Sequence, residues 1–465
     1  MKDESNHFSD KAAGGGLPAA DATEAASLSM AGVAAIALRF TALLVFLLGA
    51  ALLFASDTAT FRGNAAHTGV YSAPGFLQLT GVQWTFHAGG QLIASPAVDG
   101  DTIYAPSTAG KLYAVDRATG TKKWELDLKT RLTSSPAVAE GVVYLAAYDG
   151  NFYAVDAAAG KVKWQFKTGG EKRFSGRHLH GMQPASETMP DPFDCWLSSP
   201  VVWGGAVYFG SGDHNVYALD AATGTLKWKF ETGDVVHASP AIDGGVLFVG
   251  SWDRNFYALD AATGKEKWRF KTGEDADMHN QEGIQSSAAV ADGMVFFGCR
   301  DAHLYALDEK TGAKKWAFGT KGSWVVGSPA VSKGEVFFAT SDTAMLYAAD
   351  AKTGAIEYGV GFNGWPVFSS PAIAGDMLYV GSAEGKLGAV HIPSGRLAWS
   401  FATEGNKQNA AEIKSYFAPF TTDFYDDVIA AYGKLLTLGP ILASPVVVDK
   451  AVYVASVDGN LYALQ

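Results

Sequence analysis

A unit of about forty residues, seen most fully in SPAIDGGVLFVGSWDRNFYALDAATGKEKWRFKT from Ser239 to Thr272, returns along most of this chain. Tyr-Ala pairs recur at Tyr113, Tyr153, Tyr217, Tyr257, Tyr305, Tyr347 and Tyr462, with Gly388 taking one turn. Tryptophans recur in step at Trp124, Trp164, Trp228, Trp268, Trp316 and Trp399, with Tyr358 substituting once. The shortest interval in both series is 40 residues. A fixed period of this size means stacked or ring-shaped repeats, because one unit cannot bury its apolar face alone.

Within a unit the punctuation predicts four short strands. Ser239 to Ile242 starts the first, and Asp243-Gly244-Gly245 is a tight hairpin, since glycine supplies the positive φ of primed turns. Val246 to Gly250 is the second strand and Phe256 to Leu259 the third. Asp260-Ala261-Ala262-Thr263-Gly264 makes a longer loop before the fourth strand, Lys267 to Phe270. Proline cannot donate to a sheet ladder, so its return after serine puts the first strand on an edge. Strands in fours at this period predict a β-propeller, with that edge lining the channel.

The Ser-Pro element stands at Ser95, Ser135, Ser199, Ser239, Ser287 (as Ser-Ala), Ser328, Ser370 and Ser444, which predicts eight blades. The last copy ends at Gln465 after its third strand. Thr80 to Phe86 resembles the ending of a repeat, so an N-terminal strand is expected to complete the C-terminal blade and remove an open edge. The fold class expected is therefore all-β: an eight-bladed propeller of four-stranded antiparallel blades, closed by that strand.

At YALDAATGKEKW the repeats resemble those of the PQQ (pyrroloquinoline quinone) β-propellers over about residues 78 to 465. That family includes quinoprotein alcohol dehydrogenases and non-enzymatic relatives such as the lipoprotein of the outer-membrane assembly machinery. The resemblance implies that Trp84 and the six repeat tryptophans dock on neighbouring blades. It also implies a hallmark pair of adjacent cysteines in the dehydrogenases, and this chain has no Cys-Cys pair and no C-x-x-C-H haem motif.

Residues 1–29 are rich in Ala, Gly, Ser and Asp and are expected to be disordered. Residues 30–56 read as a transmembrane anchor or signal peptide, with Met30 as an alternative start and an uncharged run from Phe40 to Ala55. Either reading exports the propeller, 57–465, and residues 31–55 could hold it to the inner membrane. No cysteine precedes Cys195, so a lipidated cysteine is excluded. A net charge of −11 argues against a nucleic-acid partner. Two cysteines cannot make a disulfide framework, and Cys195 and Cys299 fall two blades apart.

Three intervals between the Tyr-Ala positions are stretched, placing insertions at 169–196, 274–285 and 403–442. All three join the fourth strand of one blade to the first of the next, so they share one face. Long loops on a rigid scaffold usually carry binding. Asn409 to Tyr416 and a segment ending at Leu436 are expected to be helical.

On that face the residues suggest a metal set, His178, His180, His279, Asp423 and Asp426, since imidazole with carboxylate suits a transition metal and carboxylates suit a hard cation. His237 and Gln285 weight a pocket at the channel mouth towards blades 4 and 5. The expected function is a non-enzymatic binding or scaffold protein of the cell envelope. Its partner on the looped face would be an envelope protein or a small-molecule ligand, and the N-terminal segment would meet the membrane. The alternative, implied by the resemblance, is a divergent PQQ-dependent oxidoreductase with Ca2+. There PQQ would stack on Trp252, Trp324 or Trp365 with Arg254 or Arg300 facing its carboxylates, and Asp277 or Glu282 would act as base.

Overall fold

The computed structural model describes residues 59–177, 179, 186–273, 283–417 and 428–465. Eight four-stranded antiparallel sheets form the blades: 97–127, 137–167, 201–231, 241–271, 289–319, 330–361, 372–402, and a last one begun at 446–464. The last blade takes its fourth strand from β2 (Val82–His87), with Trp84 opposite Ala463 and Thr85 opposite Tyr462. The strand expected from upstream thus closes the ring. No helix among the described residues is long and apolar enough to cross a membrane, and the apolar run 40–55 lies outside them.

Local chemistry sets each blade. Asp243 pairs with Val246 around Gly244 and Gly245, whose φ values of 51° and 79° make a type I′ hairpin turn. In the loop before the fourth strand, Asp260 Oδ1 accepts from the Thr263 N–H and hydroxyl, and Gly264 takes φ 71°. The repeat tyrosine pins the remaining turn: Tyr257 Oη donates to Asp253 at 2.6 Å, as Tyr153, Tyr217 and Tyr462 do to their aspartates. In blade 4 Asp253 also accepts the Gly233 N–H, tying turn to linker. Burial first, then Asp149, pushes the Tyr153 phenol up to about 12, so it stays a donor.

Blades join through the tryptophans. Trp228 Nε1 donates to Ala261 O of the next blade at 2.9 Å, and Trp124, Trp164, Trp268 and Trp316 repeat the bond. Trp84 does the same to Arg117 O, joining blade 8 to blade 1. Trp399 finds its carbonyl on Phe76, whose ring stacks on it at 5.3 Å and 7°. The N-terminal segment thus replaces the hairpin that blade 8 lacks.

The inner strands begin one residue after the proline, at Ala241 in blade 4, rather than at Ser239 as the pattern suggested. Proline has no N–H, and the serine N–H is engaged elsewhere. Each donates to the serine Oγ of the next blade at 2.8–3.1 Å, in seven links running from Ser444 through Ser95 to Ser370.

Below this serine ring lies a feature the sequence did not disclose. Residues 59–71 cross the hub and cover the inner strand edges. Ala59, Ala65, Ala66, Thr68 and Gly69 accept backbone N–H groups from Val138, Ile242, Val290, Val331 and Ile373, on five different blades. β1 (Val70–Tyr71) adds parallel to the inner strand of blade 7. Arg62, 1% exposed, donates to Pro371 O and Pro329 O at 2.5 and 2.8 Å.

Replacing Gly264 by Ala is expected to destabilise the ring more than replacing Gly244. Both carry positive φ, so each substitution brings about 1–2 kcal/mol of left-handed strain. At 264 the new Cβ would also lie 2.7 Å from the Trp228 ring, whereas at 244 it meets nothing within 4 Å. Urea unfolding should show a further loss of roughly 1–3 kcal/mol for Gly264→Ala. Equal losses would mean that the Trp–Gly joint is not a main interblade contact.

Candidate functional site at the channel mouth

The described parts of the first and third insertions lie against turns that follow second strands, at Ser211–Gly212 and Glu384–Gly385, while most of the second lies outside the described residues. The third carries α1 (Glu404–Phe417) and α2 (Val428–Leu436), the first helix starting earlier than expected. Asn406 donates to Glu384 O at 2.6 Å, and Ile413, Leu435 and Leu438 share an apolar cluster with Trp365. The first insertion folds over the mouth itself. Its Phe193, Cys195 and Trp196 join Ile93, Trp324, Phe368 and Leu442 in one cluster, and Phe193 meets Tyr432 of α2 edge-on at 5.0 Å.

Three acids fix that plug. Glu171 accepts from Ser211 Oγ and the Gly212 N–H at 3.0 and 2.8 Å. Asp194 accepts the Phe174 N–H at 2.6 Å and lies 2.7 Å from His237 Nδ1. Glu171 Oε2 is 3.4 Å from His237 Nε2, an ionic contact rather than an aligned hydrogen bond. Burial alone would lower the His237 pKa, but Asp194 and then Glu171 outweigh it and raise it to about 10, so the ring is an imidazolium at neutral pH. Asp191 pairs with Arg300 at 2.6 Å, both side chains fully buried.

Arg300 also lies in an aromatic stack. Its guanidinium is 3.8 Å from the Trp324 ring centre and 4.7 Å from that of Trp252, a desolvated cation–π arrangement. Phe174 covers Trp252 at 4.2 Å and 9°. The Gly283 Cα packs so close that an added Cβ would lie 2.4 Å from this indole. A flat tricyclic quinone needs open ring faces and a pocket of several hundred Å3. Here Phe174 and Arg300 take the faces of Trp252, and the cavity below the plug measures about 60 Å3. PQQ does not fit among these residues as they stand.

Of the residues expected to face a cofactor, the structure gathers His237, Trp252, Gln285, Arg300 and Trp324 beneath the plug. Gln285 Nε2 donates to Phe193 O at 2.9 Å. Arg254 sits in the turn after Trp252 with φ 70°, and Trp365 lies under the helices. His178, His180, His279, Asp423 and Asp426 lie outside the described residues, as do Asp277 and Glu282. Among the described residues no group of three His, Cys, Asp or Glu side chains is arranged to hold a metal ion. Cys195 and Cys299 are buried free thiols. None of Glu171, Asp191 and Asp194 is among the site residues expected from the sequence. The available signal was a histidine and an arginine on repeat positions that need buried counter-charges.

A family model described as outer membrane protein assembly factor BamB matches residues 78–189, 185–317 and 300–440. Among curated protein sequences, none matches the chain. Among solved structures, BamB from Moraxella catarrhalis is 16% identical with a TM-score of 0.59, over 83% of this chain and 97% of that one. The quinohemoprotein alcohol dehydrogenase of Comamonas testosteroni is 16% identical with a TM-score of 0.63, over 88% and 80%. The quinohemoprotein alcohol dehydrogenase ADHIIG of Pseudomonas putida HK5 is 15% identical with a TM-score of 0.65, over 88% and 80%. At these identities the likeness to solved structures is one of fold.

His237 predicts an alkaline loss of stability. Its pKa of about 10 in the folded protein exceeds the ordinary histidine value of about 6.5, so protonation favours the folded form. The contribution is complete below about pH 6.5 and is lost as pH rises through about 10. Thermal scans of the wild type should show the melting temperature falling across this window. His237→Gln should melt lower at pH 6 and show a flatter profile above it. A variant profile parallel to the wild type would show that the clamp does not titrate.

Proposed function

The chain belongs to the family whose model is described as outer membrane protein assembly factor BamB, and from that premise we propose that it is a non-enzymatic binding or scaffold protein of the cell envelope. Its partner is an envelope protein, met on the looped face. The observation that carries this reading is the plug. The chain's own Phe174, Asp191 and Arg300 fill the volume where a flat cofactor would stack, and the same insertions turn exposed side chains outward. A site filled from within by buried ion pairs offers catalysis no substrate volume, while an insertion anchored from below offers a partner a fixed surface. The dehydrogenase reading would require Phe174 and Arg300 to leave Trp252 before a quinone could enter.

The leader fits this reading, since residues 30–56 carry the apolar run of an anchor or signal peptide. The family name supports an assembly role, which we extend to this chain as part of the proposal.

Photo-crosslinking in the native cells tests it. A crosslinker at exposed Lys172 or Lys407, on the looped face, should capture a discrete envelope protein. The same group at Thr223 or Lys310, on the hairpins of the opposite face, should not. Crosslinks confined to the opposite face, or fractionation of the protein away from the envelope, would overturn the proposal.

A further inference from the structure

The segment across the hub holds a histidine that the looped face does not use. We propose that His67 makes residues 59–68 an acid-released strap: protonation of its ring frees them from the inner strands and opens the axial cavity from below, while the eight blades stay folded.

Two tight turns place the ring. The His67 N–H donates to Asn64 O and the Gly69 N–H to Arg62 O, both at 3.0 Å. Asn64 also grips Thr68, its Nδ2 donating to Thr68 Oγ1 at 2.7 Å and its Oδ1 accepting the Thr68 N–H at 3.2 Å. Arg62 and His67 take left-handed backbone, with φ 64° and 55°, a conformation that is strained outside glycine. Both side chains are buried, His67 at 0% and Arg62 at 1% exposure. The imidazole meets Phe61 edge-on at 5.4 Å, and among the described residues neither of its nitrogens has a hydrogen-bond partner.

A neutral ring can stay in such a place, but a charged one would add a second buried cation beside the first. Arg62 is the charge that acts on it: burial first, then this guanidinium, lowers the His67 pKa to about 3. Tyr71, pushed up to about 12 by burial, is neutral as well. The ionisable residues at the hairpin ends of the strands that the segment touches, Glu140, Asp243, Asp292, Lys333 and Asp376, are exposed to solvent. His237 in the plug is the opposite case, since it is equally buried but held between Asp194 and Glu171. The same residue type is thus kept charged above the serine ring and uncharged below it.

Release breaks few bonds. Residues 59–68 are joined to blades 2, 4, 5 and 6 by one backbone bond each, into Ala59, Ala65, Ala66 and Thr68, and by the two bonds from Arg62. Each blade keeps its four-stranded ladder without them. β1 on blade 7, with Phe76 beyond it, ends the freed stretch. Phe61 lines the axial cavity together with the ring serines, so its departure opens that cavity. The held ring titrates near 3 and a released one near the ordinary value of about 6.5, so the released form binds the extra proton. Above about pH 6.5 release is independent of pH. Below it, release grows about tenfold per pH unit down to about pH 3.

Native-state hydrogen exchange on the full-length protein reads this opening. After division by the intrinsic rates, the opening constants of the Val138, Ile242, Val290 and Val331 amides should rise about tenfold per pH unit between about pH 6 and pH 4. Amides of the third strands, such as those of Tyr153 and Tyr257, should not follow. His67→Gln should keep the third strands protected and lose the slope at the four inner amides. If that variant does not fold, histidine NMR of the wild type decides, since His67 must stay neutral at pH 5. A flat opening constant in the wild type, an unchanged slope in folded His67→Gln, a rise shared by the third strands, or a charged His67 in the folded protein at pH 5 would each overturn the proposal.

Discussion

Six of the eight joints between blades are one contact, an indole pressed on a glycine of the next blade with its N–H bonded to a carbonyl of the same hairpin, and at a seventh Trp399 stacks on Phe76 and bonds to its carbonyl. The contact needs three things at once, a tryptophan on the outer strand, a glycine in the following hairpin and a loop that turns its carbonyl inward. Gly120, Gly160, Gly224, Gly264, Gly312 and Gly354 each leave space that a Cβ would take from an aromatic ring. A ring built this way tolerates no open joint, since an unmatched blade would expose both an apolar face and a strand edge. Trp84 and Phe76 serve the two joints of the composite blade. The N-terminal segment is thus part of the ring's closure rather than an appendage to it.

With the blades locked edge to edge, variation is left to the connections. The first insertion is seated by charge as much as by apolar contact. Glu171, Asp191 and Asp194 reach down to His237, Arg300 and backbone N–H groups of blades 3 to 5. Buried ion pairs contribute little net stability against an apolar alternative, but they punish misplacement, because a shifted loop leaves charges unpaired. That makes them suited to holding a surface in one position. The aromatic stack works in the same direction, since a guanidinium between two indoles cannot slide without losing both.

The repeat exposed the blade count, the closing strand, the tryptophan joints and the face shared by the first and third insertions, because each is a matter of period and punctuation. It could not expose the thread across the hub. Residues 59–71 show no alternation of their own, and their partners are N–H groups on five inner strands that become neighbours only in the closed ring. The site was legible in part for the same reason. His237 and Gln285 were readable as a pocket at the channel mouth, and Trp252, Arg300 and Trp324 as cofactor-facing residues under the family resemblance. Their covering could not be read, because Phe174 and Glu171 lie in a loop without pattern and pair across some forty to eighty positions.

The two closures of the hub act on different problems. The thread satisfies backbone: the inner strands leave N–H groups open at the hub, and a segment of successive turns supplies carbonyls to five of them. The plug satisfies side chains, pairing the charged groups that blades 4 and 5 direct to the mouth. Each leaves its outer side to solvent and its inner side to the serine ring. A partner that meets the looped face therefore meets a surface whose backing is already ordered, so little conformational entropy remains to be lost on binding. Under the proposed function, filling the channel mouth and presenting a binding surface would be one adaptation: the residues that occupy the mouth from within are the ones that seat the first insertion.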